Sequence, residues 1–133
     1  NVSAYVGTNV IPKVLGNQAT TGVGFRPDAL IFLFNEILTT DNTVNATAIS
    51  MIGAANGSQQ FVTWGRSINA SLANAQEYKG LGFTFAGFSG VSAPWTLREQ
   101  GRFVSMDKDG FTLTWTKTGT PSGTATVYYL AIG

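Results

Sequence analysis

The chain has 133 residues, a net charge of +1, and neither cysteine nor histidine. This composition excludes disulfide bonds, thiolate metal sites and catalysis by a cysteine or histidine side chain. The eight basic residues are scattered and give no footprint for nucleic acid, and no apolar run approaches the roughly 18 residues that span a bilayer. We therefore expect neither a nucleic-acid nor a membrane partner.

The unusual property of the composition is its low charge content. Charged residues make up 11% of the chain, against about 25% in an average soluble domain. Seventeen threonines and nine serines supply much of the remaining polar surface. A neutral surface rich in hydroxyl groups is desolvated at lower cost than a charged one, and it lacks charge repulsion between copies. The composition therefore favours a protein that packs against neighbours and functions in assembly rather than in chemistry.

The first 22 residues are apolar but irregular. Residues 3–6 alternate like a short strand, and Pro12 then interrupts the chain between Gly7 and Gly16. Four large apolar residues flank this proline: Val10, Ile11, Val14 and Leu15. We predict that residues 1–22 form an extended N-terminal arm, of which residues 7–22 cross to a neighbouring subunit or to another partner protein. The alternative is an ordinary first strand of the domain.

Strand signals follow along the rest of the chain. They lie at residues 28–35, 47–54, 59–64, 82–88, 102–106, 110–116 and 124–132. Residues 28–35 form a continuous apolar run, so both faces of that strand should be covered. The one helix signal, over residues 68–78, is weak and also fits a loop with a single turn. We predict an all-β fold with one domain over residues 1–133, a jelly-roll-like two-sheet antiparallel sandwich of about eight strands.

Residues 110–116, GFTLTWT, show the strand pattern most clearly. Three apolar residues are predicted to face the core: Phe111, Leu113 and Trp115. The three intervening threonines should face outward, since threonine fits a pleated surface and still bonds water. The preceding residues 107–110, Asp-Lys-Asp-Gly, predict a tight hairpin turn, because the Asp-Gly step supplies the positive φ that such turns need.

Two motifs, the carboxylates and the serines are considered as sources of chemistry. Residues 22–24, Gly-Val-Gly, lack the Gly-Lys-Ser/Thr of a phosphate-binding loop, and a turn is predicted there. Residues 107–110 lack the ligand series and the closing glutamate of a calcium loop. Spacing nominates no catalytic pair among the seven carboxylates, and a serine triad needs a histidine. A Ser–Lys arrangement has no signature here but stays open. We predict no enzyme, no cofactor and no metal site.

The three tryptophans could stack on sugar rings or pack against protein. Trp115 alternates with threonines and is predicted to be core, while Trp64 fits either the core or an edge. Trp95, within the loop of residues 89–97, is the candidate for exposure, and interface packing is preferred to a sugar platform. The predicted partner interface therefore consists of Val10, Ile11, Val14, Leu15 and Trp95.

Three segments resemble motifs of known proteins. Residues 17–30, NQATTGVGFRPDAL, resemble the TGxGFxPDxV segment that recurs in structural proteins of tailed bacteriophages. Residues 107–113, DKDGFTL, and 128–133, YYLAIG, are similar to a DxDGFTL hairpin and a closing strand ending near YYLALG in the same proteins. The order matches over residues 17–133, although residues 36–100 carry no such motif. The resemblance implies a phage particle and fits head and tail proteins alike.

These observations together lead to an expected function. We expect a non-enzymatic structural protein on the surface of the virion, and within that class a capsid decoration protein that stabilises the coat lattice. Its expected partners are further copies of itself, as a closed homotrimer, and the major capsid protein. The alternative is a tail-fibre or receptor-binding domain that recognises a cell-surface carbohydrate. A third hypothesis is a hydrolase, such as a fragment of a depolymerase.

Overall fold

A computed structural model describes residues 1–35, 47–68, 75–89, 96–117 and 126–133. These residues form ten β-strands and no helix. The strands are β1 (Ala4–Val10), β2 (Gly16–Thr21), β3 (Ala29–Phe34), β4 (Thr47–Asn56), β5 (Gln60–Ile68), β6 (Ala75–Leu81), β7 (Phe85–Ser89), β8 (Thr96–Asp107), β9 (Gly110–Lys117) and β10 (Thr126–Ile132). Accordingly, the part of the chain that is described includes no helix of the length and hydropathy needed to cross a bilayer.

The strands form two antiparallel sheets that face each other. The six-stranded sheet has the order β1-β10-β3-β4-β5-β6, and the four-stranded sheet has the order β2-β9-β8-β7. Consecutive strands stay in one sheet from β3 to β6 and from β7 to β9, whereas the chain changes sheet on either side of β2. The predicted two-sheet antiparallel sandwich is confirmed, with ten strands in place of about eight.

The helix considered for residues 68–78 is wrong for the residues that the structure describes. Residue 68 ends β5, and residues 75–78 belong to β6, which pairs with β5 along its length. In β6, Gln76, Tyr78 and Gly80 turn inward at alternate positions, and Tyr78 packs against the core. Pairing and packing therefore override the helix-forming side chains of this segment. Residues 69–74 lie outside the described residues.

The core fills the space between the two sheets. Strand β9 contributes Phe111, Leu113 and Trp115, none more than 2% exposed, and its threonines point away from the core. Phe32 and Tyr129 of the six-stranded sheet meet the Phe111 ring edge to face, with centroids 5.6 and 5.0 Å away. The alternation predicted for residues 110–116 is therefore confirmed. Trp64 is also buried, which decides its position in favour of the core.

The segments that carry the phage resemblance meet at one end of the sandwich, here called the motif end. Gly22 and Gly24 have φ of +88° and +86°, and their amides donate to the Asp109 carboxylate at 3.0 and 2.6 Å. The Val23 amide donates to the Asp109 carbonyl oxygen at 3.2 Å. The predicted turn at residues 22–24 is thus confirmed. Its converging amides form an anion-binding concavity that is already filled by a carboxylate of the same chain.

The two termini close the same end. Ser3 and Gly133 exchange two backbone hydrogen bonds, and the Asp28 amide donates to the Ile132 carbonyl oxygen at 2.7 Å. Residue 110 must be glycine for a steric reason, since a Cβ there would overlap the Thr20 carbonyl oxygen. The motif residues therefore stabilise the fold by joining separate segments of the chain at this end.

Residues 7–22 do not form an arm that leaves the domain. Strand β1 pairs with β10 at the edge of the six-stranded sheet, and β2 pairs with β9 at the edge of the four-stranded sheet. Ile11, in the connection between them, is 3% exposed and belongs to the core. The arm expected over residues 1–22 is corrected to two edge strands, because both sheet edges offer backbone partners to this segment. The structure corresponds to the alternative of a first strand, with a second strand added.

Two glutamines join the sheets through their side chains. Trp115 Nε1 donates to Gln18 Oε1 at 3.0 Å, while Gln18 Nε2 donates to the Val10 carbonyl oxygen at 2.8 Å. Gln60 of β5 accepts a hydrogen bond from the Phe103 amide at 2.7 Å, where β8 has a bulge opposite β9. Polar side chains thus satisfy backbone and indole groups that the sheets leave unpaired.

Candidate interaction surfaces

The predicted interface residues divide into exposed and buried ones. Val14 and Leu15, between β1 and β2, are 71% and 65% exposed, and Val10 at the end of β1 is 51% exposed. Ile11 lies in the core of its own domain, so its assignment to the interface is corrected. Trp95 lies outside the described residues.

The three exposed residues lie at the end of the sandwich that is opposite the motif end. Val10 pairs with Thr126, the first residue of β10, whereas the motif end holds the last residues of that strand. Val14 and Leu15 immediately precede Gly16, which pairs with Trp115 near the end of β9. We call this group the tip patch: Val10, Val14 and Leu15. It lies where no strand of the described fold covers it.

A larger apolar surface, not predicted as a site, crosses the outer face of the six-stranded sheet. One row of directly paired residues crosses all six strands and is entirely apolar: Val6, Leu130, Ile31, Ala54, Phe61 and Leu81. The next row includes three adjacent exposed residues: Tyr128, Leu33 and Ile52. We call these nine residues the outer apolar face. Its flank on β6 is the most open, with Leu81 86% exposed.

The apolar run at residues 28–35 was a sequence signal for this face, but the prediction that both faces of the strand are covered is wrong for the single chain. The apolar run at residues 28–35 predicted that both faces of the strand are covered. In the structure Leu30 and Phe32 are buried, whereas Leu33 on the other side is 48% exposed. No described strand packs on that outer side, because the four-stranded sheet covers only the inner one.

The charges of the two outer surfaces differ. Among the outward-pointing residues of the described six-stranded sheet, only Glu77 and Lys79 of β6 are charged, and they have opposite signs. The outer face of the four-stranded sheet instead presents the threonines of β9 beside Asn17 and Arg102. The outer side of the six-stranded sheet therefore combines the outer apolar face with polar positions and no net charge, whereas the residues named on the other sheet are polar.

The carboxylates of the hairpin turn at residues 107–110 bind donors of their own chain. Asp107 accepts hydrogen bonds from the hydroxyls of Thr112 and Ser105, each at 2.7 Å. These bonds, led by that of Thr112, hold the pKa of Asp107 below its ordinary value of 3.8, since they favour the ionised form. Asp109 binds the amides of residues 22 and 24. The prediction of a hairpin turn is confirmed, with Asp107 paired to Gly110.

Within the described ranges, no group of three or more acidic, histidine or cysteine side chains could hold a metal ion. Glu99 Oε1 lies 3.5 Å from Lys117 Nζ, and this largely buried pair links β8 to β9 inside the sandwich. The charged groups described here thus connect parts of the fold.

Comparison of the chain with family models, curated proteins and solved structures gives no match.

Proposed function

We propose that the chain is a non-enzymatic structural protein of a tailed-phage virion, of the capsid decoration type. Its partners are the major capsid protein and further copies of the chain. The observation that carries this proposal is the tip patch. Three exposed apolar residues lie at one end of the sandwich, where the described strands leave them uncovered. Such a patch is a surface for contact with another protein.

The energetics of the tip patch fit a lattice-binding protein. Burial of one valine or leucine side chain stabilises a contact by about 1.5–3 kcal/mol. One subunit would then bind weakly through so few side chains, but linked subunits that bind adjacent lattice positions gain avidity. The neutral composition of the chain supports this role, because little charge must be desolvated.

The assignment to a phage particle is supported by the resemblance of residues 17–30, 107–113 and 128–133. These segments build the motif end, where Asp109 fills the concavity of residues 22–24. They act in folding, and among the described residues of the opposite end the tip patch stays exposed. The resemblance thus supports the class of protein, and the tip patch supports its mode of binding.

The first experiment locates the protein on purified particles of the phage that encodes it. Immunogold labelling with an antibody against the chain is expected on the head. Label on the tail would favour the tail-fibre alternative, and binding to a glycan array would then test for a carbohydrate ligand. Particles without the protein would overturn the proposal.

A second experiment tests the tip patch with purified protein and empty capsids. The double variant Val14→Ser and Leu15→Ser should weaken capsid binding by more than about tenfold, since it removes two apolar contacts. Its melting temperature should stay close to that of the wild type, because both side chains are exposed. Lys13→Ser, an exposed polar position in the same connection, is the matched control and should bind normally. Equal binding by the double variant would exclude the tip patch as the contact.

A further inference from the structure

We infer that the outer apolar face binds a second copy of this chain, face to face, about a two-fold axis. This inference deepens the self-association within the proposed function by naming its surface and its symmetry. The nine residues of the face include none of the tip patch, although Val10 points to the same outward side of β1 as Val6. The inference can be tested in solution without a phage particle, so its failure is distinguishable from a failure of the decoration proposal.

The first argument is the continuity of the apolar surface. A single apolar row runs without interruption from β1 at one edge of the sheet to β6 at the other, and a second row adds Tyr128, Leu33 and Ile52. Scattered exposed apolar residues are normal on a protein surface, but contiguous patches of several hundred Å² mark interaction sites. The outer apolar face is of the contiguous kind.

The second argument is area. Six strands spaced about 4.8 Å apart, with three outward positions on each, give the sheet an outer face of roughly 25–30 Å by 20 Å, or about 600 Å², and the nine apolar residues fill about half of its positions. Two copies packed on this face would remove about 1,200 Å² from water, which is the lower end of the range for stable, specific interfaces. A second copy can therefore cover the face as a whole, whereas a single peptide strand could not.

The third argument is self-complementarity. A two-fold axis that lies between the copies, parallel to the strands and midway between β3 and β4, places β1 over β6 and β3 over β4 of the partner. Within the first row, Val6 then faces Leu81 of the other copy, and Ile31 faces the small Ala54. In the first row a large residue thereby opposes a small one at the centre of the interface, and in the second row Leu33 faces Ile52 of the other copy.

Charge supports the same arrangement. Glu77 and Lys79 lie on β6, so this axis carries the charged strands of the two copies to opposite edges of the interface. No like charges meet, and both side chains keep access to water at the rim. An isologous interface needs this compatibility of a surface with itself.

The apolar run at residues 28–35 gives a fourth argument. Its outward Ile31 and Leu33 match the sequence pattern of a strand that is covered on both sides. The four-stranded sheet covers one side, and a second copy would cover the other. This pairing predicts a dimer in place of the trimer expected from composition.

The mass of the wild-type protein in solution is the first test. Sedimentation equilibrium of the purified chain should give twice the chain mass at micromolar concentration. Ile52→Glu places a charge at the centre of the face and should give a folded monomer. Thr116→Glu, the same kind of change on the polar outer face, is the matched control and should remain a dimer. A wild-type monomer or trimer, or a folded Ile52→Glu dimer, would overturn the inference.

Two further measurements keep the test decisive. If Ile52→Glu does not fold, Leu81→Glu replaces it, because Leu81 is the most exposed residue of the face.

The chain has no cysteine, so engineered cysteines report contacts without interference from native thiols. A mixture of the Val6→Cys and Leu81→Cys proteins should form a disulfide-linked heterodimer, whereas each variant alone should not. Failure of the mixture to cross-link would overturn the arrangement.

Discussion

At the scale of single residues, Gln18 connects the two sheets. Its side chain accepts a hydrogen bond from Trp115 Nε1 at 3.0 Å and donates one to the Val10 carbonyl oxygen at 2.8 Å. Gln18→Leu should lower the free energy of unfolding by about 1–3 kcal/mol, because the indole N–H is left without an acceptor. Gln18→Glu keeps an acceptor and should lose less. Denaturant unfolding measures both, and equal stability of Gln18→Leu and the wild type would contradict the prediction.

Asp107 gives a second prediction at this scale. Because its pKa in the folded state is below the ordinary 3.8, its ionised form stabilises the fold above about pH 3.8. This contribution is lost as the pH falls through the lower, folded value. Thr112→Val removes the strongest hydroxyl donor, so the pKa of Asp107 should rise toward 3.8. An NMR titration of the carboxyl carbon measures it, and Thr114→Val should leave the pKa unchanged.

At the scale of elements, the two faces of β9 should contribute differently to the free energy of unfolding. Leu113→Ala should lower the free energy of unfolding by roughly 2–5 kcal/mol, since Leu113 is buried between the sheets. Thr114→Ala, on the opposite face of the same strand, should cost less than about 1 kcal/mol. Thermal and denaturant unfolding compare the two variants. Similar losses would mean that the outer face of this strand is also covered.

The strands that the sequence predicted are those with an apolar pattern of their own. Strand β9 alternates strictly, and the Asp-Gly turn before it adds an independent signal. Strand β2 was missed because its sequence, GNQATT, holds no large apolar residue, and it is a strand because its backbone pairs with β9. Strand β6 was missed because its alanine, glutamine and glutamate favour a helix locally. Pairing with strands that are distant in the sequence determines the secondary structure of such segments. A local residue pattern carries no information about that pairing.

The candidate surfaces were predicted in part. The sequence assigned Val10, Val14 and Leu15 to a partner interface; all three are exposed, and their contact with a partner stays a prediction. It could not separate Ile11 from them, because spacing in an irregular segment does not tell which side chain turns inward. The outer apolar face was not predicted as a site. An apolar run indicates that both faces of a strand need to be covered, but it does not show that the domain covers only one of them.

At the scale of the whole molecule, the N-terminal segment is part of the fold. Deletion of residues 1–16 would remove β1 and the core residue Ile11, and it would expose the edge of β10. We therefore expect the truncated chain to lose cooperative thermal unfolding, as followed by circular dichroism. Deletion of residues 1–2 alone is the control and should have little effect, since both precede β1. A truncated protein with unchanged melting temperature would restore the arm hypothesis.

The strand order has a consequence for how the chain matures during synthesis. Strand β10 is the last strand in the sequence, yet it lies between β1 and β3 in the six-stranded sheet. A ribosome delivers about 5–20 residues per second, so β1 and β3 emerge seconds before the strand that joins them. Until β10 pairs with them, β1 and β3 have unpaired edges, and such edges promote aggregation by pairing with strands of other chains. A nascent chain stalled before Thr126 should stay protease-sensitive and bound to chaperones, and release of β10 should make it resistant.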